Sequence, residues 1–328
     1  MDLLTGSTGF LGRHLAQRLA ADGRRLRALV RAGTDKKRIP AEITEIVWGG
    51  LDEPAAIERA VAGIDTVFHL AARVSGGGGR AAFEHDNVTG TRVLLEASAR
   101  AGVRRFVHVS SAGIFGAGAA DTPITESTPL DPEIEKRGDY AWSKAEADRL
   151  VRGFSAPGLD CIVVRPGILY GAEQPPFFAR LALPIPGASG RRMIVGSPRA
   201  LLPLTHVDNA ADALVLAAER GRAGESYNVV DGLFEQGDYL ELLRGRGAAN
   251  FSPVYVSPSW FAPVAVACEV FSSATGRSLP LSRYKLKRAT ESLRYDTRRA
   301  REELGWQPRI GLPEGVAGLE SSHPGTGT

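Results

Sequence analysis

Sulfur is scarce in this chain. Two cysteines occur among 328 residues, Cys161 in an apolar strand-like run and Cys268 in a helical one. That is too few for a disulfide scaffold, and neither has metal-ligand spacing, so two unpaired thiols in a reducing compartment is the expectation. Charge imbalance is equally lacking: 40 basic against 37 acidic side chains leave a formal net charge of +3. The arginines are spread through helices and loops without an aromatic-interleaved basic patch, so no nucleic-acid or membrane partner is expected. The longest apolar stretch, Trp260 to Phe271, contains Pro263 and Glu269 and is too short to span a bilayer. No internal repeat is visible. A glycine-rich motif already begins at residue 5, so no leader is expected ahead of the fold, and the expected location is cytoplasmic.

What is present is a regular alternation of short apolar strands and amphipathic helices. Leu3-Leu4 reads as a clipped first strand, and Phe10 to Ala21 as a helix with Leu11, Leu15 and Leu19 on one face. Strands follow at Leu26–Val30, Ile43–Trp48, Val67–Leu70, Val103–Val109 and Cys161–Val164. Helices lie between them at Pro54–Val61, through Val88, Leu94 and Leu95, and around Tyr140–Lys144. This alternation predicts an α/β fold, a Rossmann-type doubly wound parallel sheet covered on both faces. After Arg165-Pro166-Gly167 proline becomes frequent and the alternation is lost. The expected division is a dinucleotide-binding domain over residues 1–166, with returns near 204–230, and a smaller C-terminal substrate lobe over 167–320. A disordered tail is expected over 321–328.

Two patterns carry chemistry. Thr5-Gly6-Ser7-Thr8-Gly9-Phe10-Leu11-Gly12 follows a strand and opens a helix. Backbone N–H groups at such a helix start point at a pyrophosphate and the helix dipole adds to the attraction. Gly6 allows the tight turn, Gly9 lets backbone approach the phosphates, and Gly12 lets helix pack on strand. The second pattern, Tyr140-Ala141-Trp142-Ser143-Lys144, puts a phenol and an ammonium four residues apart on one helical face. A phenol titrates near ~10, and a neighbouring ammonium is expected to lower it toward neutrality. A dinucleotide cradle with a proton-transferring pair is what hydride chemistry on a carbonyl or alcohol requires. Strand two ends in Arg31 with no carboxylate, and Lys36, Lys37 and Arg38 follow, which predicts NADP rather than NAD, led by Arg31 and Lys36.

The spacing Gly6-x-x-Gly9-x-x-Gly12 resembles that of the extended short-chain dehydrogenases/reductases, the NAD-dependent epimerase/dehydratase family. The resemblance extends through His69-Leu70-Ala71-Ala72, Asn87-Val88-x-Gly90-Thr91 and Ser110 to Gly116, then Arg165-Pro166-Gly167-Ile168. His206-Val207-Asp208-Asn209 and the segment Asp296 to Pro308 match later landmarks. Within the family the chain is similar to the dihydroflavonol-reductase-like and 3β-hydroxysteroid-dehydrogenase-like group. The resemblance implies a catalytic Ser111, Tyr140 and Lys144, the lysine also holding the nicotinamide ribose. It places the cofactor against Gly6, Thr8, Gly9, Phe10, Leu11 and Gly12. Further contacts are implied at Leu51, Leu70, Ala71, Ala72, Pro166, Gly167 and Ile168, with Asn87 orienting the helix beneath. One departure is clear: where the family reads Gly-Asp-Leu after strand three, its Asp meeting adenine, this chain reads Gly49-Gly50-Leu51-Asp52.

The leading functional expectation is an NAD(P)-dependent oxidoreductase acting on an apolar or ring-bearing carbonyl or alcohol. Two alternatives stand beside it. One is a nucleotide-sugar epimerase or dehydratase that retains NAD, with Arg180, Arg191 and Arg192 gripping a second pyrophosphate. The other is a non-catalytic NADP(H)-binding sensor. The substrate lobe is expected from the Gly76–Gly79 loop, residues 172–203 and Phe251 to Tyr284, with Phe177, Phe178, Leu181, Leu183, Tyr255, Trp260 and Phe261 as apolar surface. His69 and His108 are expected to pack or bond to backbone; His206, Asp208 and Asp212 lack metal-ligand geometry, and helix capping accounts for the two acidic residues. No metal is expected. A homodimer through the Val88–Ala99 and Tyr140–Val151 helices is implied by the resemblance alone.

Overall fold

Every strand expected in the first 170 residues forms, and all of them join one sheet. The computed structural model describes residues 1–116, 122–172, 182–275 and 282–317. The strands are β1 (Asp2–Thr5), β2 (Leu26–Val30), β3 (Ile43–Trp48), β4 (Thr66–His69), β5 (Arg105–Val109) and β6 (Asp160–Pro166). Three lobe strands and a fourth follow: β7 (Ile168–Tyr170), β8 (Leu183–Pro184), β9 (Arg191–Val195) and β10 (Leu201–His206). The last three are β11 (Ser226–Val229), β12 (Gly232–Glu235) and β13 (Ser252–Val256). The main sheet is seven-stranded and parallel, in the order β11-β6-β5-β4-β1-β2-β3.

Successive residues of each strand serve opposite faces, as the pleat demands. Leu4, Phe68, Val107 and Ile162 belong to one buried cluster, with Leu15 and Leu19 of α1 (Phe10–Ala21). Their neighbours Leu3, Val67, Phe106 and Cys161 belong to the other. That second cluster takes in Ile57 of α2 (Pro54–Val61) and, beyond the short α3 (Gly79–Phe83), Leu94 of α4 (Gly90–Arg100). It also holds Val151 of α6 (Asp139–Gly153), which follows the single turn α5 (Ile134–Arg137). The chain winds outward from β1 to β3 and returns to lay β4 beside β1. The strand order therefore reverses at the β1–β4 gap, where doubly wound sheets hold ligands.

The segment between α3 and α4 is a π-helical turn, Glu84–Thr89. The wider turn carries Asn87 inward, where it is buried.

The expected return near 204–230 is α7 (Val207–Arg220) and β11. A later segment that falls within the span 167–320, expected to be mainly lobe, also packs on the main core. Ala300 and Leu304 of the helix Arg298–Leu304, together with Trp306, pack into the α1/α7 cluster. Trp306 is fully buried, its Nε1 donating to the Asn209 carbonyl at 2.9 Å. The smaller lobe carries two three-stranded sheets, β12-β10-β7 and β13-β9-β8, over a core that includes Tyr170, Ile194, Leu204, Tyr239 and Leu312. Arg180, Phe177, Phe178, Leu181 and the tail 321–328 lie outside the described residues.

Candidate active site

At the β1–β4 reversal the chain turns so tightly that side chains are excluded. Gly6 has φ +75°, and a Cβ there would stand 2.7 Å from the Ala71 nitrogen. A Cβ on Gly12 would run into the Gly6 carbonyl oxygen. Helix α1 starts with Gly9 as N-cap, with no side chain capping it and no acidic residue in its first turn. Its free N–H groups and dipole therefore meet the cavity uncompensated. Beside them the Ser7 hydroxyl is buried without a hydrogen-bond partner. A cradle that a Cβ would fill, an uncapped helix start and an orphaned hydroxyl together fit a dinucleotide pyrophosphate.

The strand ends are tied together behind this cradle. Thr91 Oγ1 donates to the Asn87 carbonyl at 2.6 Å, so His69 Nε2–H donates to Thr91 at 2.8 Å. His69 Nδ1 then accepts from Thr5 Oγ1 at 2.7 Å, and Thr5 Oγ1 accepts from the Ala71 N–H at 3.3 Å. Burial pushes the His69 imidazole down to about 3, with the Lys144 charge adding to the effect, which keeps this neutral tautomer. Side chains and not backbone are thus the partners of His69. His108 packs its ring 5.3 Å from that of His69.

One cavity of about 1490 Å³ runs from this cradle into the smaller lobe. That is room for a dinucleotide and a second ligand. Gly6, Thr8, Gly9, Phe10, Leu11 and Gly12 line it, as do Arg31, Leu51, Leu70, Ala71 and Ala72. Pro166, Gly167 and Ile168 line it from β6 and β7, and Ser111, Tyr140 and Lys144 stand on its wall. Lys36 and Asn87 do not line it; Arg38 and Asp35 do, beside Arg31. Asn87 acts from beneath: its Oδ1 accepts from the Arg73 N–H at 2.6 Å and its Nδ2 donates to Ser143 Oγ at 2.8 Å. Ser143 in turn donates to the Tyr140 carbonyl at 2.9 Å. Arg31 is two-thirds exposed, 3.8 Å from Asp86. Asp52 fills the gap left at Gly50, its carboxylate occupying the space where a residue-50 side chain would begin.

Ser111 lies two residues beyond β5 and caps the turn Ala112–Ile114, its Oγ accepting from the Gly113 N–H at 3.0 Å and leaving the hydroxyl proton for another acceptor. Lys144 donates to the Val109 carbonyl at 2.7 Å, and burial lowers it to about 8, Asp148 opposing the fall. Burial raises the Tyr140 phenol above its ordinary value. The expectation that Lys144 lowers the phenol is thus reversed in the protein without its ligands, because desolvation of the phenolate dominates. At neutral pH Tyr140 is a phenol with a proton to give. Helix α6 is pinned on β6 by Asp148 and Arg165, a fully buried bidentate pair at 2.7 and 2.8 Å.

The substrate end differs from its expected composition. Leu183, Ile194, Val195 and Leu202 line it, joined by Leu286, Leu293 and Tyr295. Tyr255, Trp260, Phe261 and the Gly76–Gly79 loop do not, and Trp260 is 79% exposed. Arg137, Glu291 and Gln236 supply polar groups that sequence reasoning missed, the Gln236 Nε2 being buried without a partner. Arg191 and Arg192 lie off the cavity wall, Arg192 stacking on Phe251 instead. His206 caps α7, its Nδ1 accepting from the Asp208 N–H, while Asp208 pairs with His14 and Asp212 with Arg18. Neither cysteine is paired, and burial pushes the Cys161 thiol up to about 12.

The model of the NAD-dependent epimerase/dehydratase family matches residues 3–230, well over half of the chain. The chain belongs to that family. It is 32% identical to the 4-hydroxy-2-methyl-3-oxo-4-farnesyl-3,4-dihydroquinoline-1-oxide ketoreductase of Stigmatella aurantiaca, over 98% of this chain and 96% of that one. It is 26% identical to the 2-alkyl-3-oxoalkanoate reductase of Stenotrophomonas maltophilia, over 98% of each. Among solved structures, MoeE5 in complex with UDP-glucuronic acid and NAD superposes with a TM-score of 0.71 and 25% identity, over 97% of each chain. The fold is thus that of the family, and it places the glycine cradle, Ser111, Tyr140 and Lys144 around one cavity.

Proposed function

We propose that the protein is an NADP(H)-dependent ketoreductase for apolar ketones, with Ser111, Tyr140 and Lys144 as its catalytic residues. The observation that carries this is the placement of the Tyr140 phenol on the same cavity wall as Ser111 and the glycine cradle. Reductases that act on 3-oxo compounds are among the relatives spanning nearly the whole chain, which supports the carbonyl-reducing direction.

The cradle Gly6–Gly12 would hold the pyrophosphate and Lys144 the ribose beside the nicotinamide. A reduced nicotinamide supplies the hydride which, with one proton, turns a C=O group into CH–OH. Ser111 donates its hydroxyl proton as a hydrogen bond to the ketone oxygen and so stabilises charge developing there. Tyr140 delivers the proton to that oxygen, and the Lys144 ammonium next in the helix eases loss of the phenolic proton. Asn87 holds the first turn of α6 through Ser143 and so positions Tyr140. The preference for the 2′-phosphate rests on Arg31 and Arg38 lining the adenosine end, with no carboxylate ending β2. Lys36 takes no wall position and would act only at longer range. The protein would work as a homodimer through α4 and α6.

A second reading, a nucleotide-sugar enzyme with retained NAD, is favoured by the likeness to MoeE5 bound to UDP-glucuronic acid. The displacement of Arg191 and Arg192 from the cavity weighs against it. Denaturing the purified protein and identifying any nucleotide released separates the two. An empty protein that binds NADPH more tightly than NADH is expected; stoichiometric NAD would sink the reductase reading.

A further inference from the structure

The turn that carries Tyr140 starts on a glycine. Gly138 is the N-cap of α6, at φ +117°, and has no side chain to bond the free N–H groups of the first turn. It also parts α6 from the short α5, so a hinge lies two residues ahead of Tyr140. One guanidinium spans that hinge from outside. Arg80, on α3, donates from Nε to Asp139 Oδ1 at 3.3 Å, and its Nη1 lies 3.4 Å from Glu135 Oε1. The same group lies over the Trp142 ring, 4.6 Å from its centroid. Asp139 and Trp142 flank Tyr140 and, three residues apart, are neighbours on the helix surface, whereas Glu135 belongs to α5. Each contact is weak alone, since both carboxylates are partly exposed. Together they grip both sides of Gly138 and fix the angle at which α6 begins. Asn87 holds the same turn from beneath through Ser143.

We infer that Arg80 is a positioning residue for the proton transfer: it latches α5 to α6 across Gly138 and so holds the Tyr140 phenol at the ketone oxygen. This rests on the ketoreductase reading and deepens it. Proton transfer needs donor and acceptor within about 2.6–3.2 Å, and a first turn that rocks by about an ångström breaks that reach. The glycine cradle, on another helix, is untouched by such a movement. A guanidinium suits the task because its flat face lies on the indole while its edge meets two carboxylates; an ammonium offers a point charge without the flat face. Loss of the latch therefore belongs in kcat and not in dinucleotide binding.

The test is a double-mutant cycle on NADPH-dependent reduction of methyl 3-oxooctanoate by wild type, Arg80→Met, Tyr140→Phe and the pair. Arg80→Met should lower kcat about three- to thirtyfold, with KM for NADPH moving less than about threefold. Arg80→Lys should recover part of the rate. In the Tyr140→Phe background the same change should leave the residual kcat as it is, because Arg80 acts through the phenol. Equal losses in both backgrounds, or a kcat that does not fall in either, would overturn the inference and leave the reductase reading standing. Amide exchange gives an arm that needs no turnover. The Trp142 N–H donates to the Gly138 carbonyl at 3.1 Å. In Arg80→Met it should exchange about five- to thirtyfold faster, while β4 and β5 keep their protection. That result upholds the latch even should no ketone be reduced, whereas unchanged exchange at Trp142 contradicts it.

Discussion

At the dinucleotide end of the cavity the wall is backbone; at the substrate end it is side chains. The first is made by consecutive residues, Gly6 to Gly12, whose shape follows from what a Cβ would strike. The second is assembled from β8, β9, β10 and the segment Leu286–Tyr295, parts of the chain more than a hundred residues apart at the extremes. Backbone walls accept one ligand shape and tolerate little change. Side-chain walls can be rebuilt residue by residue without disturbing the sheet, which lets one fold serve many substrates.

Mutations should separate the two ends. The largest effect belongs where they meet: Tyr140→Phe removes the proton donor and should lower kcat about 10²- to 10⁴-fold. Fluorescence titration with NADPH should find its dinucleotide affinity changed by less than about tenfold, since the cradle is elsewhere. At the dinucleotide end, Arg31→Asp replaces attraction for a 2′-phosphate by repulsion. The ratio of kcat/KM with NADPH to that with NADH should fall by about tenfold or more. A variant that kept its NADPH preference would show that Arg31, two-thirds exposed beside Asp86, is only a surface charge.

The same contrast governs what could be read from the sequence. Six of the seven strands, the glycine cradle and the Tyr140/Lys144 pair were legible because each depends on residues adjacent in the chain or one helical turn apart; the seventh, β11, was not read as a strand. The helix Arg298–Leu304 was misplaced because its packing on α7 is set by Trp306 and Asn209, partners 97 residues apart in the chain. The aromatic surface expected from Trp260 and Phe261 faces away from the cavity, while Leu286 and Leu293, from a less apolar stretch, face it. Apolar character alone does not say which side of a lobe a residue will take. The sign of the Tyr140 shift was also missed, because burial is a tertiary property and the spacing to Lys144 is a local one.

Smaller effects sharpen the substrate end. Leu293→Ala removes apolar wall and should raise KM for a long-chain ketone about three- to tenfold, while leaving the NADPH titration in place. A KM that did not move would put the substrate elsewhere. The smallest change at neutral pH comes from Lys144, which is lowered to about 8. The ammonium is present below that value and lost above it. The ketone-reducing kcat/KM should therefore be level below pH 8, be halved near 8, and fall about tenfold per unit above it. A profile level to pH 10 would mean that the charge on Lys144 plays no part.

The most direct test of the central claim is the stoichiometry of NADPH oxidised to alcohol formed when the purified protein meets an apolar ketone such as 3-oxooctanoate or its methyl ester. One alcohol per NADPH, abolished by Tyr140→Phe, is the predicted result. NADPH that binds but is never consumed by any ketone would contradict it and leave a dinucleotide-binding protein without this chemistry.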